Sequence, residues 1–417
     1  MRVLITAGEA SGDLYGAELT RALHERCPDV VVTGMGGPRM RRAGVTLFRD
    51  TSTWGAIGVV NALRVVPRAL SAFTALRARL RREPPDVFVP IDCGAFNVRA
   101  GYCARRLGIP VYYFIAPGSW RKTGPISPKL LQAASVFCTQ LPWHAERLRA
   151  AGARAEFFGH PLLDLARPSR PAAELRRVWD LPEGDPVVGI LPGSRRHEVE
   201  HLLPAFLDAG ALVLRQQPRA RFVLGLAEVV DRRQVARILA EHGWQAREVA
   251  GGAEASGPGG GHPSVAPADP AGANPAGAPR REVLLLSGRT YDCLAVADAA
   301  LCCSGTVTLE AAILGVPQVI AYRGSFGMRV QYQLVKHRIQ YVGLPNLLLG
   351  SLVCPELLDT AATPERLAAA LMALLGGGPE ARAQQEAAHA LRNMLGQPGT
   401  IRMAAARILE IGAAEGG

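Results

Sequence analysis

Short apolar runs recur along both halves of the chain, and each is followed by a turn and a segment with helical periodicity. In the first half they span Arg2 to Ala7, Val87 to Ile91 and Val136 to Thr139, and in the second half they include Pro186 to Leu191 and Gln318 to Tyr322. Apolar strands that alternate with helices are typical of parallel sheets covered on both faces. The pattern predicts an α/β fold of the doubly wound, Rossmann-like type.

The 417 residues are too many for one compact core, and the pattern divides them in two. We expect an N-terminal domain over 1–166, a hinge over the polar, proline-bearing stretch 167–185, and a C-terminal domain over 186–385. Residues 250–281 are mostly Ala, Gly and Pro, which predicts a disordered insertion in the second domain. The helical segment 386–417 completes the chain and could pack back on the first domain.

The most amphipathic part of the first half is the stretch 54–82. Leucine, valine and phenylalanine recur there at helical spacing while arginines crowd the remaining positions, namely Leu63, Val66, Leu70, Phe73, Leu76 and Leu80 against Arg64, Arg68, Arg77, Arg79, Arg81 and Arg82. The favoured interpretation is a helix packed on the sheet with a solvated arginine face. The alternative is a basic surface with an apolar edge that rests on an anionic membrane.

The segment 301–323 contains the most informative turn of the second half, between a strand and a helix that we expect from Thr306 to Leu314. Ser304, Gly305 and Thr306 are small, and free amides at a helix start favour an anion such as phosphate. Glu310 lies one turn further along the same helical face, where it could accept hydrogen bonds from ribose hydroxyls. The turn therefore suits a sugar nucleotide, although an ordinary capped αβ connection explains it equally well.

A second candidate anion site precedes the helix that we expect from about His201 to Arg215. Gly193 and Ser194 repeat the pattern of small residues before a helix, and Arg195 adds a planar, fully charged donor. Two such turns in one domain are more specific than either alone. His197 or His201 could act as a catalytic acid, but a solvent-facing histidine in a loop is the favoured interpretation.

The first domain opens with a strand and the turn Gly8-Glu-Ala-Ser-Gly-Asp13. Its glycines do not fit G-x-G-x-x-G, which disfavours a dinucleotide site, and Gly8, Ser11 and Gly12 suggest close approach of a ligand to the backbone. Asp92 follows the strand Val87 to Ile91, at the end where open parallel sheets bind ligands. It is a candidate general base, the alternative being that Asp92 or Asn97 caps the next helix.

The amino-acid composition narrows the classes of partner that this protein is expected to bind. The formal charge is +11, and only three of the 47 basic residues are lysines, a bias typical of a GC-rich genome. The remaining basicity favours anionic partners such as nucleotide phosphates or phospholipid head groups, and no nucleic-acid-binding signature accompanies it. The eight cysteines form no CxxC pair and are interpreted as core residues in a reducing cytosol. We find neither a signal peptide nor an apolar run of about 18 residues, so no segment is expected to span a membrane.

Seven motifs, in order along nearly the whole chain, resemble those of the lipid-A-disaccharide synthase family. They are Gly8-Glu-Ala-Ser-Gly-Asp13, Gly36-Gly-Pro-Arg-Met40, Pro85-Asp-Val-Phe88 with Ile91-Asp92, Phe158-Gly-His-Pro161, Leu191-Pro-Gly-Ser-Arg195 with Glu198-Val-Glu200, Ser304-Gly-Thr306 with Leu309-Glu310, and Leu344-Pro-Asn-Leu-Leu348. Together they are highly specific for this family.

The resemblance implies a GT-B fold, in which two Rossmann-like domains face a central cleft. It implies an inverting, metal-independent transferase without cofactors that joins the donor UDP-2,3-diacylglucosamine to the acceptor 2,3-diacylglucosamine 1-phosphate through a β-1,6 linkage and releases UDP. It further implies a bacterial, cytoplasmic protein, peripheral on the anionic cytoplasmic face of the inner membrane, with a homodimer as one assembly.

Carried over by position, Asp92 matches the family's catalytic aspartate, and Asn346 matches an asparagine important for activity. Arg195 matches a nucleotide-site arginine, the turn 304–306 and Glu310 match contacts to diphosphate and ribose, and Glu9, Ser11 and Gly12 match the loop that lines the cleft from the first domain.

This sequence departs from the family pattern at Ala95, where an acidic residue is usual, and in the run 116–121, which is less aromatic than in the family. Both changes fall in the acceptor half. Two alternatives therefore stay open, namely another UDP-sugar GT-B enzyme, such as a UDP-N-acetylglucosamine 2-epimerase, and a nucleotide-sugar binder without turnover.

Overall fold

The structure is a computed structural model that describes residues 1–51, 59–118, 122–248, 281–324 and 340–414, with only the backbone over 59–66. The predicted insertion, apart from Arg281, and the beginning of the amphipathic stretch lie outside these residues. Contacts divide the chain into two compact units, Met1–Leu165 with Arg392–Gly417, and Ala166–Leu391.

The first unit contains a seven-stranded parallel sheet with the order β3-β2-β1-β4-β5-β6-β7. Its strands are β1 Arg2–Ala7, β2 Val31–Gly36, β3 Thr46–Asp50, β4 Val87–Ile91, β5 Tyr112–Phe114, β6 Val136–Thr139 and β7 Ala155–Phe157. Its first helices are α1 Ala10–Arg26, α2 Pro38–Arg42, α3 Val59–Arg82, α4 Gly94–Arg106, α5 Pro128–Leu131, α6 Pro142–Ala150 and α7 Leu162–Leu165. The strand order reverses between β1 and β4, so the loops after these two strands meet at the carboxyl edge of the sheet.

The second unit also contains seven parallel strands, in the order β10-β11-β9-β8-β12-β13-β14. They are β8 Val187–Leu191, β9 Arg221–Leu226, β10 Gln245–Glu248, β11 Glu282–Ser287, β12 Ala299–Cys303, β13 Gln318–Tyr322 and β14 Glu356–Leu358, with a 3₁₀ turn at Asp359–Ala361. The helices are α8 Ala172–Val178, α9 Arg196–Gln216, α10 Arg232–Glu241, α11 Thr290–Val296, α12 Thr306–Leu314, α13 Leu344–Leu349, α14 Pro364–Leu374 and α15 Pro379–Leu395, whose last four residues belong to the first unit. Here the order reverses between β8 and β12.

The last helix, α16 (Thr400–Ala414), belongs to the first unit and packs along α1. Its N-terminus is capped by Asp164, whose carboxylate accepts hydrogen bonds from the amides of Gly399 and Ile401, the latter at 3.0 Å. Amides at a helix start are unsatisfied within the helix, and here one carboxylate serves two of them. The first unit is thus assembled from both ends of the chain.

The stretch predicted as a hinge contains α8. Leu175, Trp179 and Leu181 are buried in a core cluster of the second unit, and Ser169 donates from its amide and its hydroxyl to Asp292 at 2.6 and 2.8 Å. Much of the stretch is therefore part of that unit's core, and a hinge function stays a prediction.

In α3 the predicted stripe packs on the sheet at Leu76 and Leu80, which are buried. Leu70 is different, with 65% of its surface exposed. At about 100° per residue Leu70 lies roughly a third of a turn from Leu76, which removes it from the packed face. Four arginines of the described side chains are exposed on this helix, at positions 68, 77, 81 and 82.

Candidate active site

Asp92 lies at the carboxyl edge of the first sheet, directly after β4. Its amide donates to the carbonyl oxygen of Phe114 on the neighbouring strand at 3.2 Å. Asp92 and Cys93 both have left-handed backbones, with φ of 45° and 48°, and α4 begins immediately afterwards. The strand order brings the start of α1, with Glu9 at its N-cap, to this same edge.

The surroundings of Asp92 favour its protonated form. Burial by neighbouring protein atoms, followed by the charge of Glu9, raises the pKa of the Asp92 carboxyl from 3.8 to about 6. The side chain nevertheless keeps solvent access, so water moderates the effect, and the upward direction is what matters for chemistry. Burial also raises the pKa of the Cys93 thiol to about 11, so this thiol is protonated and a poor nucleophile at neutral pH. A reachable carboxylate with a raised pKa suits a general base.

The capping alternative for Asp92 and Asn97 is not what the structure shows. Cys93 occupies the N-cap position of α4, and its side chain makes no capping hydrogen bond. Asn97 is buried and donates to carbonyl oxygens instead, at 2.8 Å to Ile91 and 3.1 Å to Asp92, while its own oxygen accepts from the Thr6 hydroxyl at 2.8 Å. Asn97 thus ties β1 to the end of β4.

The remaining predicted residues of this edge differ in environment. Glu9 and Ser11 are partly exposed, whereas Gly12 is buried. A Cβ at Gly12 would lie 3.2 Å from the Cβ of Ala7, so close packing of α1 on β1 is sufficient reason for a glycine there. A ligand contact at Gly12 stays a prediction.

Asp13 is a residue that the sequence did not single out, and it joins two of the family motifs. Its buried carboxylate accepts from the amides of Gly37, Arg39 and Met40 at 2.8 to 3.0 Å, and so caps α2. The Gly-Gly-Pro sequence before a short helix, with an acidic residue in an earlier turn, was the available signal. These hydrogen bonds join the two motifs into one structural unit.

In the second unit the turn 304–306 has the predicted form, and α12 and β13 have the predicted bounds. Gly305 is the N-cap and has no side chain with which to cap α12, and Gly305 and Thr306 are exposed. Two hydrogen bonds fix Ser304. Its amide donates to the carbonyl oxygen of Ala321, and its hydroxyl donates to the carbonyl oxygen of Val342 at 2.9 Å. An exposed helix start attracts anions.

Glu310 is buried one turn deeper, and its carboxylate accepts from the Tyr291 hydroxyl at 3.4 Å. This places it on the face predicted from its spacing, behind Thr306. Its contact with ribose stays a prediction.

Arg195 precedes α9 at the neighbouring edge, because β8 and β12 are adjacent in the sheet. The amides of Ser194 and Arg195 donate to the buried carboxylate of Glu198 at 3.0 and 3.1 Å, and the Arg195 guanidinium lies 3.2 Å from it. Gly193, at φ 115°, leaves room for this carboxylate, since a Cβ there would lie 2.4 Å from Oε2. These amides therefore serve an internal anion in this structure, and binding of a phosphate by Gly193 and Ser194 stays a prediction.

The charges of Glu198 and Arg195 also act on two side chains at the ends of the neighbouring strands β12 and β13. Burial first, and then Glu198, raises the pKa of the Cys303 thiol, while Arg195 opposes the shift. The pKa of the Tyr322 hydroxyl, at the end of β13, is likewise raised by burial and then by Glu198, and Arg195 opposes the shift.

His197 and His201 lie in α9 rather than in a loop, because the helix begins earlier than predicted, at Arg196. Both are partly buried, and burial lowers the pKa of His197. A neutral imidazole is a poor general acid near pH 7, which disfavours a catalytic acid at this position.

Asn346 does not have the position expected of a catalytic residue. It is fully buried, and its amide group donates to Cys354 O at 2.7 Å and to Glu356 at 2.8 Å, while its oxygen accepts from the amides of Val353 and Cys354. All its hydrogen-bonding capacity is used inside the unit. Glu356 in turn accepts from the amides of Val342 and Gly343 at 3.0 and 2.9 Å. Asn346 therefore supports the segment that holds Ser304.

Among the helices that the structure describes, none combines the length and apolar character needed to cross a membrane.

Comparison with known proteins decides the family. The profile of the family described as lipid-A-disaccharide synthetase matches residues 3–255 and 276–411. The lipid-A-disaccharide synthase of Syntrophus aciditrophicus is 34% identical over 414 residues, covering 98% of this chain and 97% of its own length. The chain belongs to the lipid-A-disaccharide synthase family. The enzyme of the same name from Burkholderia pseudomallei is 36% identical over 385 residues, covering 92% and 89%.

Solved structures show the fold. The calicheamicin glycosyltransferase CalG4 is 16% identical with a TM-score of 0.59 over the whole of both chains. The UDP-GlcNAc 2-epimerase of Neisseria meningitidis, solved with UDP-GlcNAc, is 11% identical with a TM-score of 0.57, covering 98% of this chain and 99% of its own. The predicted GT-B, two-domain α/β class is confirmed. The family profile leaves out 256–275, which lie within the predicted insertion.

Proposed function

We propose that this protein condenses UDP-2,3-diacylglucosamine with 2,3-diacylglucosamine 1-phosphate, giving the β-1,6-linked lipid A disaccharide 1-phosphate and UDP. The observation that supports this most is the match of the family profile over residues 3–255 and 276–411, which includes the edge that carries Asp92. The raised pKa of Asp92 and the exposed start of α12 supply the two kinds of chemistry that the reaction needs.

In the proposed reaction Asp92 accepts the proton of the acceptor's 6-hydroxyl while that oxygen attacks the anomeric carbon of the donor. The bond from this carbon to the diphosphate oxygen breaks, and UDP leaves with the electron pair. Attack from the face opposite the leaving group inverts the anomeric centre. A pKa near 6 leaves Asp92 ionised at neutral pH and more basic than an ordinary aspartate.

Negative charge grows on UDP as it leaves, and the second unit supplies groups of the opposite sign. The exposed N-terminus of α12 presents amides and the positive end of its dipole, and Arg195 lies on the adjacent loop. These groups support a mechanism in which the protein itself stabilises the leaving diphosphate. The proposal assigns to Glu310, one turn deeper in α12, a contact with the ribose.

The acylated substrates reside in membranes, so the protein must reach a membrane surface. The exposed arginines of α3, with Leu70 exposed among them, support peripheral binding to the anionic cytoplasmic face of the inner membrane. Reversal of the charges at 68, 77, 81 and 82 should abolish sedimentation with anionic vesicles. Unchanged sedimentation would contradict this surface, and analytical ultracentrifugation would test the predicted homodimer.

The function is tested by incubating the purified protein with both acylated substrates and detecting the tetra-acyl disaccharide phosphate by mass spectrometry. We expect product with the wild type and almost none with Asp92→Asn. Turnover of unacylated UDP-N-acetylglucosamine instead would support an epimerase or a transferase with a soluble acceptor. Binding of UDP without turnover of any acylated substrate would support a non-catalytic binder.

A further inference from the structure

The backbone at Asp92 and Cys93 has a conformation that its residue types disfavour. Both residues have φ near +45°, and neither is glycine. For residues with a Cβ, this region is unfavourable because the side chain crowds the following carbonyl oxygen. Such a conformation persists only where the surroundings hold it, and two consecutive residues require more support than one.

Two buried side chains hold the backbone of Asp92 and Cys93 in this conformation. Both donate a hydrogen bond to the carbonyl oxygen of Asp92. The Tyr113 hydroxyl donates to it at 2.9 Å, and Asn97 Nδ2 donates to it at 3.1 Å. Tyr113 is 0% exposed and Asn97 is 1% exposed. Since the amide of Asp92 also donates to Phe114, strand β5 fixes Asp92 on both sides of its Cα.

We propose that Tyr113 and Asn97 are positioning residues that keep the Asp92 carboxylate at the sheet edge by fixing its left-handed backbone. Rotation of the peptide between Asp92 and Cys93 would turn the carbonyl away from both donors and swing the carboxylate with it. This inference rests on the proposed function, in which Asp92 accepts the acceptor's proton. It assigns a role in the reaction to two residues that do not touch substrate.

Tyr113→Phe tests the proposal with the smallest change. It keeps the ring, which stacks on Phe137 with centroids 6.0 Å apart, and removes one hydrogen bond. We expect kcat to fall roughly ten- to a hundredfold, as for a modest misplacement of a reacting group, with the KM for the donor unchanged. The acidic limb of the pH–rate profile should move to lower pH as the carboxylate gains water. Of the titratable groups that face Asp92 among the described residues, Tyr113 loses its hydroxyl in this variant, and Glu9 and Cys93 stay as they are.

Tyr112→Phe is the matched control. Tyr112 is the preceding residue of the same strand and is equally buried, but its side chain points to the other face of the sheet, near Cys138. We expect wild-type kcat and an unchanged pH profile for this variant.

The two roles separate in an Asp92→Asn background. If Tyr113 acts through Asp92, adding Tyr113→Phe to Asp92→Asn should reduce kcat no further, whereas an additional loss would indicate a general structural role and overturn the proposal. Wild-type kcat and pH dependence in Tyr113→Phe would also overturn it. Full activity of Asp92→Asn alone would instead refute the proposed function.

Cys93→Gly in the Tyr113→Phe background supplies a second measurement. Glycine adopts a left-handed backbone without the crowding that a Cβ causes, so it lowers the demand on the Tyr113 hydrogen bond and eases folding of the Tyr113→Phe protein. We expect it to recover part of the kcat lost in Tyr113→Phe and to return the acidic limb toward its wild-type position. No recovery would count against the proposal.

Discussion

The two sheets reverse their strand order at corresponding points, yet the residues at these points carry opposite charge. In the first unit the reversal between β1 and β4 presents Glu9 and Asp92, and in the second the reversal between β8 and β12 presents Arg195 and the open start of α12. Strand order determines which loops meet, while the residues in those loops determine what they attract. One edge is suited to accepting a proton and the other to holding an anion.

The two edges also use internal carboxylates differently. Asp13 caps α2, whereas Glu198 accepts from the amides beside Arg195 and lies within hydrogen-bonding reach of its guanidinium. In the first unit the capping carboxylate organises a supporting loop. In the second it belongs to the candidate site itself, where it limits how much positive charge that edge presents.

The largest effect is expected from removing the charge that distinguishes the first edge. Asp92→Asn keeps the size of the side chain and removes its basicity, and general bases typically contribute about 10² to 10⁴ in rate. We expect kcat to fall by that order while circular dichroism and the affinity for UDP stay as in the wild type. Equal kcat values for Asp92→Asn and the wild type would show that the Asp92 carboxylate is not the base. The functional contrast between the two edges would then be lost.

Arg195→Ala tests the second edge. Loss of a charged donor to a diphosphate costs about 1.5–3 kcal/mol, so UDP should bind roughly ten- to a hundredfold more weakly by calorimetry. Arg196→Ala is the matched control, because that side chain is 80% exposed and paired with Glu200. Similar affinities for the two variants would show that Arg195 does not face the nucleotide.

Asn346→Ala should act on stability as well as activity. It leaves several buried partners, among them Glu356 and the amide of Cys354, without their hydrogen bonds, each costing about 1–3 kcal/mol. We expect a clearly lower denaturation midpoint in urea. Asn393→Ala, at an exposed helix position, should leave the midpoint unchanged. A stable but inactive Asn346→Ala would restore Asn346 to the catalytic residues.

Glu9→Gln should have a smaller effect, which is a change in the pH dependence of the reaction at the first edge. The charge of Glu9 raises the pKa of Asp92, second to burial. Its removal should therefore move the acidic limb of the pH–rate profile to lower pH, but only part of the way toward that of an ordinary aspartate, since burial remains. An upward movement would mean that Glu9 does not act through its charge.

The smallest effect concerns stability against pH. Because folding raises the pKa of Asp92 from 3.8 to about 6, its contribution is most favourable below about pH 4 and is lost as the pH rises through 6. Asp92→Asn has no such loss, so its melting temperature relative to the wild type should be higher at pH 8 than at pH 4. The same difference at both pH values would argue against a raised pKa.

The parts of this structure that could be predicted from sequence share a physical cause. The bounds of β1, β4, α12 and β13 follow from apolar runs ended by Gly, Pro or charged residues, which act locally. The capping of α9 by Glu198 was also readable, as an acidic residue three positions after the N-cap, but the Gly193-Ser194 pattern drew the interpretation toward an external anion.

Other features depend on distant partners. The saturation of Asn346 requires Glu356, which is supplied by another element, and its burial has no local signal. The left-handed step at Asp92 contains no glycine, so its support by Tyr113 appears only when β5 is placed beside β4. Trp179 and its neighbours fill a core across α8 and several strands, although the polar residues between them favoured a hinge.

The return of α16 to the first unit has a consequence for biosynthesis. Residues 1–165 leave the ribosome long before residues 392–417, and at about 5–20 residues per second the interval is roughly ten to fifty seconds. Throughout that interval the surface of α1 that α16 later covers stays open, and Asp164 has no helix start to cap. The unit that emerges first is therefore the one that finishes folding last.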